Sequence, residues 1–347
     1  MKMFPVRRCA VLVLAMVLSA CGDDDAAGDE RSADTADAAE SGADGSATTS
    51  GDAGVPGTDG SGSGTDTAEE EEAATGYAAC YPEFVEFLGI DIDALGLPVG
   101  EHCAGSAQQD FEGIERVVFL GDSISAGVGA PAGQGYRDIL SERLRERYPG
   151  IVVDDCSRGG SVVADLLGAQ IPQCFPEAEE RRTLVVFTSG GNDVVGLAFS
   201  KATVEEAQPD VDRIVGRLRE TLAWLQDPAN VPGGVRVVYA NVYEFTDATG
   251  LLDGCRLLAA SGLSGTWLDG LEVYARLETG YAQAAVDAGT DVMFLEELFC
   301  GHGFNRDDPT GPCYERRGEL WLSNDCIHPN ATGHAQIADA FWAIIGG

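Results

Sequence analysis

Five short apolar runs interleaved with helix-patterned stretches limit most severely what this 347-residue chain can fold into. The runs are residues 116–120 (RVVFL), 151–153, 184–188 (LVVFT), 235–242 and 291–295 (DVMFL). They are too short for helices and rich in branched residues, and most are apolar at nearly every position. That pattern belongs to strands covered on both faces. Residues 136–148, 204–225, 268–288 and 331–345 repeat apolar side chains at three- and four-residue spacing among polar ones, which predicts amphipathic helices. The first of these stops at Pro149-Gly150. Strands alternating with helices through right-handed crossovers give an α/β fold, a three-layer α/β/α sandwich around a five-stranded parallel sheet.

In such sheets, sites form beyond the carboxyl ends of the strands. Residues 121–127 (GDSISAG) follow the first run and residues 156–161 (CSRGGS) the second. Residues 190–193 (GGND) follow the third, and residues 325–329 (DCIHP) lie between the fifth and the last helix. One edge thus receives a hydroxyl, a glycine-rich turn, a side-chain amide and a carboxylate–imidazole pair, the parts of an acyl-transfer site. A serine hydroxyl needs an adjacent base, which makes Ser123 the candidate nucleophile and His328 its base. Asp325 stands three residues before His328, where one helical turn brings the two to the same side and lets the carboxylate fix the imidazole tautomer. The amides of Ser123 and Gly160 and the side chain of Asn192 are the candidate oxyanion donors. Asp122 and Asp193 read as structural carboxylates that bond local backbone. Among the other histidines, His334 packs or caps within the last helix, His302 lies in a glycine-rich insertion where it can touch substrate, and His102 precedes the core pattern.

These four blocks, in this order, resemble the signature blocks of the SGNH hydrolases, also called the GDSL esterase/lipase family. Gly121-Asp122-Ser123 matches the first, Gly160 the second, Gly190-Gly191-Asn192-Asp193 the third and Asp325-x-x-His328 the fourth, over a region from about Arg116 to the C-terminus. The resemblance implies a flavodoxin-like sheet of order 2-1-3-4-5 and ester hydrolysis without metal or other cofactor. It also implies Ser123 as nucleophile, His328 as base and Asp325 as its orienting partner. Two departures stand out. Cys156 lies near where many relatives carry Asn, so a disulfide takes over the fixing of that turn. Cys326 falls between Asp325 and Ile327, so a crosslink anchors the catalytic loop.

Ahead of the domain, residues 1–8 are basic and residues 9–17 apolar, the form of an export signal over residues 1–20. Leu18-Ser19-Ala20-Cys21 resembles a bacterial lipobox, which implies a diacylglycerol anchor on Cys21 and attachment to a membrane surface. The apolar run over residues 9–20, 12 residues long, is itself too short to span a bilayer. Residues 21–76 carry 16 acids against one Arg and no aromatic residue, and read as a disordered, extended tether. The expectation is an exported, envelope-anchored protein on the outer membrane or cell surface, since Gly22 is not the acidic residue linked to inner-membrane retention. Residues 77–347 form one domain, with an N-terminal extension (77–115) and a loop insertion (299–324). The eight remaining cysteines of an exported domain imply four disulfides. Proximity favours Cys80–Cys103 and Cys156–Cys174. Cys255, Cys300, Cys313 and Cys326 then pair among themselves, tying the long loop to the region after the fourth strand.

Charge excludes one class of partner outright: 22 Lys and Arg against 57 Asp and Glu leave no basic footprint for nucleic acid. Gly127-Val128-Gly129 fails as a dinucleotide fingerprint because Ala132 stands at its last glycine. Zinc-ligand spacings are absent from the sequence. The expected function is hydrolysis of lipid or short-chain acyl esters through an acyl-enzyme, by a monomer. A polysaccharide O-deacetylase of the same mechanism, or a non-catalytic surface binder on the same scaffold, are the alternatives. Apolar residues over 251–263, with Trp267, either line an acyl groove or join the core.

Overall fold

The computed structural model describes residues 104–346. The signal, the lipobox Cys21, the acidic tether, His102 and the Cys80–Cys103 pair lie outside the described residues. Strands β1 (Arg116–Gly121), β2 (Val152–Asp155), β3 (Thr183–Thr188), β4 (Val235–Ala240) and β5 (Asp291–Met293) form one parallel sheet in the order 2-1-3-4-5. Register sets Phe119 of β1 opposite Asp155 and Val186, and Gly121 opposite Thr188. The segments that follow β1 and β3 therefore leave the sheet at one level, and the segment after β2 leaves it two residues earlier.

Burial explains where the expected strands shift. β1 and β3 are buried at every position, as continuous apolar runs require. β2 is an edge strand with open flanks, so it extends past its apolar start into Asp154 and Asp155. Asp154 meets Arg116 at 2.7 Å there, and Asp155 pairs with Arg137. The expected fifth run divides: Asp291–Met293 is strand, and Leu295–Phe299 is already helix. β4 stops at Ala240, and two residues later the Val242 amide donates to the buried Glu278 carboxylate at 3.2 Å.

Helices flank the sheet. They are α1 (Tyr136–Arg147), a helical stretch α2 made of Val163–Asp165, the π-turn Leu166–Gln170 and Ile171–Cys174, α3 (Gly191–Ser200), α4 (Val204–Gln226), α5 (Arg256–Ala260), α6 (Asp269–Ala288), α7 (Leu295–Phe299) and α8 (Ala331–Gly346). α4 packs on α6, and α1 on α8. α4 begins at a capping box in which Thr203 Oγ1 accepts from the Glu206 amide and Glu206 accepts from the Thr203 amide. Among the described residues no helix is long and apolar enough to cross a membrane.

Two regions to which the resemblance assigns no role acquire one. Residues 104–109 run along β5: Gly105 bridges Met293 antiparallel, and the Asp291 carboxylate accepts from Ser106 Oγ, the Gln108 and Gln109 amides and Gln109 Nε2 at 2.7–3.2 Å. A sheet edge that would otherwise offer unpaired backbone is covered this way. Insertion 299–324 is seated on the segment after β4. Buried Asp247 accepts from the amides of Gly301, Gly303 and Asn305 at 2.8–3.1 Å. Asn305 Nδ2 returns hydrogen bonds to Thr246 O, Thr249 Oγ1 and Leu251 O. Among the described residues the disulfides are Cys156–Cys174, Cys255–Cys326 and Cys300–Cys313. Of the apolar residues at 251–267, Leu252, Leu258, Leu263 and Trp267 are core, whereas Leu251 is 38% and Leu257 53% exposed.

Candidate active site

Ser123 stands two residues beyond the end of β1, in a turn held to β3. The Asp122 amide donates to Thr188 O at 3.1 Å, and Asp122 Oδ1 accepts from the Ile124 amide at 3.0 Å and Thr188 Oγ1 at 2.8 Å. Burial pushes the Asp122 carboxyl up to about 6 against those hydrogen bonds. The second serine of the block is structural: Ser125 Oγ lies 2.6 Å from the Tyr136 hydroxyl and 3.0 Å from Thr188 Oγ1.

The glycine-rich turn comes from the edge strand and crosses beside Ser123, where a β-carbon on Gly159 would sit 3.9 Å from Ser123 Cβ. Two side chains fix it. Gln170 of α2 bridges the blocks, accepting from the Gly121 amide at 2.6 Å and donating to Gly121 O and Ser161 Oγ. Asn192, in the first turn of α3, donates from Nδ2 to Ser161 O at 2.8 Å, which leaves its second amide proton. The amides of Ser123 and Gly160 donate to no acceptor among the described residues. α3 starts from Gly190 at φ +121°, where a β-carbon would lie 2.5 Å from the Tyr281 hydroxyl. Asp193 accepts from the Val163 amide at 2.9 Å, and burial pushes its carboxyl up to about 6. Asp122 thus bonds local backbone, as its place in the sequence suggests, whereas Asp193 bonds backbone 30 residues away.

His328 and Asp325 reach Ser123 from the loop ahead of α8. His328 Nε2 lies 2.7 Å from Ser123 Oγ, and His328 Nδ1 lies 2.6 Å from Asp325 Oδ2. Ser123 and His328 are almost wholly buried, at 5% and 4% exposure. No helical turn brings the pair together, contrary to the expectation from their spacing. Residues 323–328 form a tight non-helical turn with Cys326 at φ +67°. Asp325 Oδ1 accepts from Ser323 Oγ at 2.7 Å and from the Ile327 and His328 amides at 3.0 and 2.9 Å, while Oδ2 faces the imidazole. Burial opposes ionisation of Asp325. The hydrogen bond and charge of His328, its amide and Ser323 outweigh that and hold the carboxyl well below the usual carboxylate range. An ionised Oδ2 accepts a hydrogen bond from Nδ1–H, which leaves Nε2 as the acceptor for the Ser123 hydroxyl. The arrangement can therefore take a proton from the serine as its oxygen attacks.

Sequence reasoning missed the supports of this turn. The Tyr243 hydroxyl donates to Ile327 O, Leu322 bridges Pro329, and Gly129 lets the loop pass so closely that a β-carbon would lie 2.2 Å from Pro329 O and 2.8 Å from His328 Cβ. Gln170 and Ser323 carried no pattern that marks them. The remaining described histidines have other partners. His334 accepts from the Tyr136 amide at 3.2 Å and bonds Val128 O at 3.0 Å. His302 stacks on Trp321 and bonds Glu319 O, so its contacts lie within the insertion. Among the described residues no three His, Cys, Asp or Glu side chains are grouped as metal ligands. A surface groove of about 1270 Å³, lined by Val211, Val215 and Leu271 between α4 and α6, contains none of the residues above.

The family model for GDSL-like lipases and acylhydrolases matches residues 119–336. Among solved structures, the chain is similar to the extracellular lipase of Streptomyces rimosus, with 19% identity over 66% of this chain and 99% of that one and a TM-score of 0.47. It is also similar to phospholipase A1 of Streptomyces albidoflavus, with 22% identity over 67% and 99% and a TM-score of 0.46. An acetylxylan esterase of Geobacillus stearothermophilus shares 17% identity over 69% and 97%, with a TM-score of 0.43. No curated protein sequence is a significant match.

Proposed function

The chain belongs to the GDSL-like lipase/acylhydrolase family, a family of ester hydrolases, and from that premise we propose that it cleaves carboxylic esters by a serine acyl-enzyme mechanism. The observation that carries this reading is the unbroken relay Ser123 Oγ–His328–Asp325, with contacts of 2.7 and 2.6 Å. Ser123 Oγ attacks the ester carbonyl as its proton passes to His328 Nε2. Asp325 stabilises the imidazolium through Nδ1. The unpartnered amides of Ser123 and Gly160 and the second amide proton of Asn192 are the donors for the developing oxyanion. His328 then returns the proton to the departing alcohol. Water, deprotonated by the same nitrogen, releases the acid and restores Ser123.

The substrates in this reading are lipid or short-chain acyl esters. Exposed Leu251 and Leu257 support an apolar acyl moiety, because they flank Cys255, whose disulfide partner Cys326 lies beside Asp325. Attachment of the exported protein to a membrane through a lipidated Cys21 fits such a substrate, and mass analysis of the mature N-terminus tests it.

The test of function is hydrolysis of p-nitrophenyl acetate, butyrate, octanoate and palmitate by the oxidised full-length protein beside Ser123→Ala. Turnover that vanishes in the variant is expected, and the chain-length optimum separates lipase from short-chain esterase or sugar deacetylase. Folded protein that neither turns over any ester nor reacts with a fluorophosphonate would overturn the hydrolase and leave the surface binder.

A further inference from the structure

The catalytic turn contains a residue type that its backbone does not favour. Cys326 adopts φ +67°, a left-handed conformation in which a β-carbon crowds the carbonyl and which normally selects glycine or asparagine. That conformation shapes the turn: the Cys326 amide donates to Ser323 O at 3.0 Å, and the next two amides, Ile327 and His328, both converge on Asp325 Oδ1. The Ser323 amide closes the turn on His328 O at 2.8 Å. One oxygen of Asp325 is thereby committed to the backbone and the other is aimed at His328 Nδ1.

The Cys326 side chain is bonded to Cys255, 71 residues earlier, and both are 3% exposed. Cys255 belongs to a segment with its own ties. The Leu252 amide donates to Gly265 O at 2.8 Å, the Gly265 amide to Asp253 Oδ1 at 2.8 Å, and Asn305 Nδ2 to Leu251 O at 2.7 Å. The disulfide thus joins a strained residue to a fixed wall. Cys300–Cys313 differs, since it closes the insertion on itself across 13 residues.

We propose that Cys326, through its bond to Cys255, is a positioning residue for the catalytic base: the crosslink holds residue 326 left-handed, and so keeps Asp325 and His328 aligned on Ser123. The proposal rests on the reading of His328 as base. Once the bond is cut, residue 326 relaxes to negative φ, the Ile327 and His328 amides swing away from Asp325 Oδ1, and the imidazole loses its aim. Tyr243 and the Leu322–Pro329 bridge still retain the loop, so kcat falls while substrate binding persists.

The experiment compares full-length wild type, C255A/C326A, C255A/C326G, C300A/C313A and S123A by kcat and KM on p-nitrophenyl butyrate and by the rate of fluorophosphonate labelling. C255A/C326A is expected to lose about 10- to 100-fold in kcat and labelling rate, the scale of a small misplacement of reacting groups, with KM within about twofold. Glycine adopts φ +67° without a bond to enforce it, so C255A/C326G is expected to recover to within about fivefold of wild type. C300A/C313A is expected to stay within about twofold, because that bond joins two residues of the insertion and neither of them belongs to the 323–328 turn. Unchanged kcat in C255A/C326A, no advantage of glycine over alanine, or an equal loss in C300A/C313A would each overturn the proposal. If C255A/C326A does not fold, the wild type is titrated with a water-soluble phosphine. The disulfide gains two electrons and two protons to give two thiols, and the phosphine becomes its oxide with oxygen from water. Loss of labelling must then parallel alkylation of Cys326, and loss that follows Cys156 or Cys300 instead overturns the proposal. A wild type that is itself inactive and unlabelled refutes the proposed function, whereas an active wild type with an indifferent C255A/C326A refutes this inference alone.

Discussion

Ser123 and His328 meet across 2.7 Å, yet the two sides of that contact are held by different means. The serine side grows out of the sheet. β1 and β3 run buried and in register to Gly121 and Thr188, and the turn that follows is pinned to Thr188 and bridged by Gln170. The imidazole side has no strand beneath it. It is a loop held by a tyrosine hydroxyl, a disulfide, the capped insertion and the buried carboxylates after β4. A nucleophile fixed by a sheet needs few special residues, because backbone pairing already fixes the chain. A base fixed by loops needs each support to be built separately, from side chains far apart in sequence.

Substitutions can break or sharpen that contrast. The largest effect belongs to Ser123→Ala, which removes the attacking atom and should lower kcat by at least about 10⁴-fold with the fold intact, read by ester turnover beside circular dichroism. Asp325→Asn should follow, at about 10³- to 10⁴-fold in kcat, because an amide there stabilises the wrong tautomer. It also disturbs the turn through Oδ1, so a loss of thermal stability should accompany it, unlike Ser123→Ala. Asn192→Ala should cost about 10²- to 10³-fold in kcat, with little change in KM, if its second proton serves the oxyanion. A raised KM with kcat unchanged would place Asn192 in ground-state binding instead.

Asp247→Ala tests the loop-built side specifically. It strands the amides of Gly301, Gly303 and Asn305, at a cost of about 2–4 kcal/mol. Melting should fall by several degrees, and insertion amides should exchange faster while β1 and β3 stay protected. Uniform loss of protection would show that the two sides unfold as one.

The smallest effect concerns pH. Burial pushes the Glu244 carboxyl up to about 7, and Glu278 and Glu296 lie well above the usual range for the same reason. In the folded protein Glu244 keeps a proton that the unfolded chain has released, so its stabilising contribution is full below about pH 4.5 and is lost as pH rises through about 7. The unfolding free energy should therefore drop between pH 5 and pH 8, and Glu244→Gln should reduce that drop by on the order of 1–3 kcal/mol. Asp122 and Asp193, at about 6, act in the same direction from the serine side.

What the sequence disclosed follows the same division. The strands and the positions of Ser123, Gly160 and Asn192 are legible because an apolar run, a turn and a following helix are local patterns, and parallel pairing then puts their ends together, whereas the strand order is implied only by the family resemblance. His328 and Asp325 are legible as a pair but not as a geometry. Their turn depends on Cys326 at positive φ and on Cys255 and Tyr243, which no local period connects. Asp247, Gln170 and Gly129 were invisible for a related reason: each matters through a partner 30 or more positions away. Helix α3 escaped notice because Gly191-Asn192 is a poor helical start by propensity, and its anchoring at Tyr281 is tertiary.

The clasp of residues 104–109 on β5 has a mechanical meaning. Tension that arrives at Ala104 meets the Gly105–Met293 bridge and the four hydrogen bonds converging on Asp291 before it reaches β1. β4 and β3 lie between β5 and the strand that ends beside Ser123. The clasp is a strain relief, like the collar where a cable enters a housing: load is taken up at the rim of the sheet, and the reacting atoms are spared it.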